Sequence, residues 1–297
     1  MVLAQRALVA MVVVGLAAAM IGCAAIPRAA VLPAPTFLPR AERPVVDPVD
    51  RYARDRLASM TLEQKVKSML MVHVAGTEPA TTAPASYRGV GGFILMGDNI
   101  PDSLAQLKAE TAALSTETGL PVLVATDQEG GIVRRVATDN APSASQLRSR
   151  APRSAFEAFA ERGALLASVG VSVNFGIVAD VANDPSSFIF ERSFGATGAD
   201  AAARVSQAVL GESQVLSTLK HFPGHGAAPG DSHSSIPSTS MQLSDWRTSH
   251  ALPFVAGIEA GVPIVMFGHL AFTAVDAVPA TFSNRWHEIL RDELHFD

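Results

Sequence analysis

Six short apolar runs punctuate the chain: Leu70–Val74, Gly92–Met96, Val122–Thr126, Ser172–Phe175, Leu216–Lys220 and Ile264–Phe267. Each is nearly continuous in apolar character rather than alternating. That is the pattern of strands in a parallel sheet covered on both faces. Amphipathic stretches lie between them. Asp102–Thr118 repeats Leu104, Leu107, Ala112 and Leu114 at mostly helical spacing, and Arg153–Val169 repeats Phe156, Phe159, Ala160 and Leu166. Ala199–Val209, Leu243–Ala260 and Asn284–Leu294 read as further helices. Gly119, Gly170 and Gly261 each stand just past a helix and before a strand, where a left-handed residue caps the helix end. Repeated βα units with long polar loops after the strands predict an α/β fold, either a (β/α)8 barrel or a doubly wound sheet.

The first fifty residues follow a different pattern. Arg6 precedes an uncharged run from Ala7 to Gly22, too short for a bilayer span of about 20 residues but suited to a signal-peptide core. Small Gly22 then leads into Cys23, the only cysteine, which looks like a bacterial lipoprotein cleavage and lipidation site. The expected organisation is a signal peptide over 1–22, a proline-rich tether over 23–49 and a folded domain over 50–297. Six prolines between Pro27 and Pro48 favour the extended tether. A lipid anchor at Cys23 would place the domain on the outer face of the bacterial cell membrane.

Composition narrows the partners. The 297 residues carry a formal charge of −5, with 17% charged and 48% hydrophobic residues, which is globular composition. No basic block is present to bind phosphates, so nucleic acid is not an expected partner. A single cysteine excludes an internal disulfide and a cysteine-based metal cluster. Neither Gly-x-Gly-x-x-Gly nor Gly-x-x-x-x-Gly-Lys-Ser/Thr occurs, and there is no Gly-x-Ser-x-Gly elbow.

The densest polar cluster is Lys220-His221-Phe222-Pro223-Gly224-His225-Gly226, followed by Asp231-Ser232-His233. It falls at the C-terminal end of a strand candidate, where barrel enzymes place catalytic groups. A carboxylate two residues before an imidazole can bond one ring nitrogen and fix the tautomer, as a proton donor requires. The same spacing also fits an Asp–His pair bracing a loop. A zinc site on His221, His225 and His233 is a third reading, disfavoured by the Pro-Gly interruption and the absence of His-Glu-x-x-His. A second constellation is Asp127-Gln128-Glu129-Gly130-Gly131, whose acidic and amide groups could fork to sugar hydroxyls while the glycines let ligand approach the backbone. A third is Glu191-Arg192-Ser193-Phe194-Gly195.

Taken together and in this order, with Arg135, the opening Met60-Thr-Leu-Glu-Gln-Lys-Val66 and Met266-Phe-Gly-His-Leu270, these segments resemble the bacterial β-N-acetylhexosaminidases of glycoside hydrolase family 3. The resemblance runs from about Asp50 to the last residue. It implies a (β/α)8 TIM-type barrel, here incomplete, with about six of eight βα units. It implies retaining hydrolysis of terminal β-linked N-acetylglucosamine, from peptidoglycan fragments or similar glycans. His233 matches the acid/base and Asp231 its dyad partner; Asp127, Arg135, Arg192, Lys220 and His221 match residues that hold the sugar. No metal or organic cofactor is implied. His225 and His269 lie near the site by analogy, with no assigned role. The family's nucleophilic aspartate sits in an Asp-Asp-Leu-like segment after the seventh strand. Asp292, Glu293 and Asp297 do not match it and read as solvated helix-end charges. The expectation is therefore a chain with the sugar-holding and acid/base halves but without the nucleophile, inactive by itself. A non-catalytic sugar- or muropeptide-binding lipoprotein is the alternative.

Overall fold

A computed structural model describes residues 47–114 and 122–297. The expected signal peptide, Cys23 and most of the tether lie outside the described residues, as does Gly119. The chain divides into two units, Met1–Arg51 and Tyr52–Asp297.

In the second unit all six apolar runs form strands of one parallel sheet: β1 (Met71–Val72), β2 (Gly92–Leu95), β3 (Leu123–Thr126), β4 (Val173–Val178), β5 (Leu216–Phe222) and β6 (Ile264–Phe267). They pair strictly in sequence, β1 with β2 through to β5 with β6. Consecutive parallel strands need a crossover each time, usually a helix. Here the principal helices are α1 (Leu104–Leu114), α2 (Arg153–Ser168), α3 (Gly198–Gly211) and α4 (Ala251–Glu259). The result is an incomplete (β/α)8 barrel, a curled parallel sheet with β1 and β6 as unjoined edges. The two edge strands are only partly buried, while β4 and β5 are almost wholly enclosed.

Local sequence explains the helices. In α2 the buried positions Ala155, Ala158, Phe159, Arg162 and Leu166 follow one face at helical spacing. In α3 the Thr197 hydroxyl caps the first turn by accepting from the Asp200 amide. Past α2, Gly170 turns the chain at φ 78°, and Gly261 does the same past α4 at φ 86°, both as expected.

Two helix expectations change. Leu243–Ala260 is not one helix but two pieces, Leu243–Arg247 and α4. Pro253 has no amide and its ring would strike the carbonyl four residues back, so it fits only in the first turn of a new helix. The last stretch, expected as Asn284–Leu294, runs as α-helix only over Asn284–Glu288 and continues as a wider π turn over Ile289–Glu293. Two apolar clusters fill the sheet's faces. One gathers Phe222, Trp246, Phe254, Phe272 and Trp286 around the β5–β6 half; the other gathers Phe93, Leu107, Val124 and Leu166 around the β1–β3 half.

Candidate active site

The functional side chains stand where the strands end. Asp127 directly follows β3, Asp180 follows β4, and Lys220 and His221 occupy the last turn of β5. Arg192 closes a short helix, Phe190–Arg192, beyond β4. Residues far apart in sequence thus converge on the C-terminal rim of the sheet, the usual place for barrel active sites.

Opposed charges form the floor. The Lys220 ammonium lies 2.7 Å from both Asp127 Oδ1 and Glu129 Oε1. Arg192 meets Glu129 through a two-point fork, Nε donating to Oε2 at 2.8 Å and Nη2 to Oε1 at 2.7 Å. Lys220, Glu129 and Arg192 are all buried. Burial alone would push the Glu129 carboxyl up, but the Lys220 charge and the Arg192 fork outweigh it and hold the carboxyl below its usual range. Burial would likewise lower Arg192, yet the Glu129 bonds leave it more firmly protonated than usual. The floor is therefore a fixed, charge-balanced surface rather than a set of free ions.

Part of that surface is unsatisfied. Asp127 Oδ2 lies 4.0 Å from Arg135 Nη2, and among the described residues no hydrogen bond to it is formed. Arg135 Nε is buried without a partner. Gln128 aims Arg135: its side-chain oxygen accepts from the amides of Arg135 (2.9 Å) and Val136 (2.8 Å), and its amide nitrogen donates to Asp139 at 2.8 Å.

Behind His221 lies a residue that sequence reading did not single out. Asp180 is fully buried, receives the His221 ring Nδ1 at 2.7 Å, and accepts the His225 amide at 2.5 Å. Burial would raise its carboxyl, but the two histidines and those hydrogen bonds hold it low. A charged Asp180 fixes the His221 ring so that Nε2 faces away from it. The chain passes here through cis peptides at Lys220–His221 and Phe222–Pro223. Asp180 stands two residues beyond the apolar run of β4, at the strand's functional end, and that position was the available signal. Glu129 stood in a noted motif without a role; its pairing with Arg192 and Lys220 appears only in three dimensions.

His233 and Asp231 do pair. Asp231 Oδ1 receives both the His233 amide at 2.9 Å and its ring Nδ1 at 2.6 Å. The amide bond, then the ring bond, lowers the Asp231 carboxyl below its usual range, so Asp231 is an acceptor and Nδ1 carries the hydrogen. Ring Nε2 is left free to exchange a proton. His233 is 76% exposed, in contrast to the floor. Its ring lies edge-on to Phe188 at 5.7 Å, and the Arg192 guanidinium lies 5.2 Å from the centre of that same Phe188 ring.

Other residues fall elsewhere. His225 is buried against His221 and Phe188, its Nε2 without a partner, and burial lowers its imidazole despite Asp180 nearby. His269, beyond β6, bonds the Thr281 hydroxyl at 2.8 Å. Glu293 is a surface carboxylate paired to Arg247 and Arg285, and Asp292 is exposed, as expected for helix-end charges. A Cβ on Gly130 (φ 81°) would meet the Arg162 guanidinium at 2.4 Å, and one on Gly131 (φ 68°) the Ser143 side chain at 2.8 Å. Both glycines are required by the positive-φ turn and by its packing on the protein itself.

A curled parallel sheet with its charged cluster on the C-terminal rim defines a barrel-type α/β protein. The domain described as "Glycosyl hydrolase family 3 N terminal domain" matches residues 61–297, and the chain belongs to that family. A β-hexosaminidase from Thiobacillus denitrificans is 36% identical over 244 residues, covering 77% of this chain and 67% of the relative. One from Nitrosomonas eutropha is 34% identical over 242 residues, covering 76% and 69%. Among solved structures, the family 3 β-N-acetylglucosaminidase from Paenibacillus superposes with a TM-score of 0.75 at 31% identity, over 80% of this chain. The chain spans about half, 48%, of that enzyme's length.

Proposed function

We propose that the chain carries the sugar-holding floor and the acid/base dyad of a retaining β-N-acetylhexosaminidase, acting on terminal β-linked N-acetylglucosamine in peptidoglycan fragments or similar glycans. One observation supports this reading: Phe188 touches both Arg192 of the Asp127–Lys220–Glu129–Arg192 floor and His233 of the Asp231–His233 pair, so the charged cluster and the imidazole lie on the same side of the sheet. The named activities of the relatives support the substrate class.

In this reading Asp127 accepts and Arg135 donates to sugar hydroxyls, while Arg192, Lys220 and His221 complete the grip. Protonated His233 gives its Nε2 proton to the glycosidic oxygen as the C1–O bond breaks, and a carboxylate takes C1 as a glycosyl ester. Neutral His233 then accepts a proton from the water that attacks C1 and frees the carboxylate. Asp231 holds the tautomer throughout and stabilises the imidazolium. The attacking carboxylate is assigned to none of the residues gathered here; by family resemblance it follows a seventh strand.

The test needs no turnover. Titration calorimetry of the full chain with N-acetylglucosamine should show saturable binding, and Asp127→Ala should weaken it at least about 10-fold, the loss of a charged hydrogen-bond partner. Absent binding, or equal binding by the variant, would contradict the assignment.

A further inference from the structure

Among the described residues, the hydrogen bonds of Asp231–Ser235 stay inside that segment. The His233 amide and ring bond Asp231, and the amides of Ser234 and Ser235 return to the Asp231 carbonyl at 3.1 and 3.3 Å. These bonds set the imidazole relative to Asp231 but not relative to the barrel. The loop rejoins the fold at Pro237–Thr239, where the Pro237 carbonyl accepts from the Ala271 amide at 2.9 Å and Ser238–Thr239 pairs with Ala271–Phe272. Among the described residues, no hydrogen bond or ion pair links His233 to any residue other than Asp231, and its one ring contact is with Phe188.

Phe188 is itself 36% exposed, but the segment that carries it is anchored. Its neighbour Ile189 is fully buried. Two residues on, Phe190 is stacked by the Arg148 guanidinium at 4.1 Å, and Arg148 also donates to the carbonyls of Ala182, Phe190 and Ser193. That arginine ties both ends of the 182–193 loop together. The Phe188 ring then touches three site groups: Arg192 over its face at 5.2 Å, His225 tilted at 5.6 Å, and His233 edge-on at 5.7 Å. These distances are those of favourable aromatic and cation–π pairs.

We propose that Phe188 is a positioning residue that seats the His233 imidazole beside the sugar-holding floor. The inference rests on the assignment of His233 as acid/base and deepens it. An aromatic ring on an anchored segment, with a floor cation on its face and the dyad imidazole at its edge, converts an exposed loop into a placed one. Loss of a pair of this kind lowers the population of the seated imidazole by about 2- to 10-fold.

The test compares Phe188→Leu with Phe188→Tyr in the full chain carrying isotope-labelled histidine. Two-dimensional NMR reads the His233 ring protons, which feel the Phe188 ring current, and the ring nitrogens, which report the tautomer. In Phe188→Leu the His233 ring protons should move toward free-histidine positions while the Nδ1–H tautomer persists; in Phe188→Tyr they should stay near the parent values. In a polypeptide that also carries the nucleophile, Phe188→Leu should lower kcat/KM about 2- to 10-fold for a poor leaving group and leave an activated aryl substrate nearly unchanged, as expected for loss of acid placement alone. His233 resonances unmoved in Phe188→Leu would overturn the proposal. Resonances that move as expected, with His233→Ala leaving poor-leaving-group turnover intact, would instead sink the acid/base reading while the seat itself stands.

Discussion

The floor and the rim of this site are built on opposite principles. Glu129, Arg192 and Lys220 are buried and held by charged bonds between distant segments, Lys220 to Asp127 and Glu129, and Arg192 to Glu129. Asp231 and His233 are neighbours in sequence, solvent-facing, and bonded chiefly to each other. A sugar unit has hydroxyls at fixed directions, so its holder gains from groups that do not move; orientation fixed in advance costs nothing when the ligand arrives. A proton donor must change charge twice per turnover. Water-exposed imidazole does that without the penalty of burying each new charge. On the proposed reading, the difference teaches that stability and acid/base chemistry are loaded onto different residues, and substitutions should separate them.

The largest effect belongs to the floor. Arg192→Ala leaves Glu129 buried with only Lys220 against it, and should destabilise the chain by about 3 to 5 kcal/mol in denaturant unfolding, with loss of sugar binding. A change under about 1 kcal/mol would mean that the floor is not the fixed element described. The rim should behave in reverse. His233→Ala should shift unfolding by no more than about 0.5 kcal/mol, since an exposed side chain off the core contributes little. In a polypeptide that carries the nucleophile it should lower turnover of a poor-leaving-group β-N-acetylglucosaminide at least about 100-fold. Near-normal turnover would remove His233 from the mechanism.

A smaller, pH-dependent effect probes what lies under the floor. Asn174 bonds the backbone of Gln128 in both directions and donates to Glu212 at 2.6 Å. Burial raises the Glu212 carboxyl from 4.5 to about 8, against the opposing pull of Asn174 and Arg162. The folded chain therefore keeps a proton that the unfolded chain releases above pH 4.5, so this contribution to stability is full in acid and fades as pH rises through about 8. Glu212→Gln keeps a neutral hydrogen-bonding group and should flatten that decline. Melts of the variant should match the parent near pH 5 and exceed it near pH 8, by on the order of 2 kcal/mol. Parallel pH profiles for the two chains would refute a protonated Glu212.

Legibility divided along the same line. The dyad was readable because both partners lie within three positions, and a carboxylate two residues before an imidazole has few geometries open to it. The strands were readable because burial on both faces leaves an unbroken apolar run, and all six appear close to their expected bounds. The floor was readable only as separate fragments. Glu129 pairs with Arg192 across 63 positions and Lys220 with Asp127 across 93, distances at which local pattern carries no information. Asp180 was missed because a lone acid after an apolar run is common; its strand-end place gains meaning once His221 folds onto it. For the Gly130–Gly131 pair the sequence shows that side chains are absent but not that Arg162 and Ser143 fill the space beside them. Phe188 and Arg148 had no local mark at all, since an aromatic in a loop and an arginine after a short helix are ordinary until their partners are known.

The most direct measurement is a crystal structure of the full chain with an uncleaved β-N-acetylglucosaminide bound. The account predicts the sugar on Asp127, Arg192 and Lys220, with His233 Nε2 within about 2.6–3.2 Å of the glycosidic oxygen and Nδ1 still on Asp231. A sugar seated on that floor with the glycosidic oxygen out of reach of His233, or a sugar bound elsewhere, would contradict it.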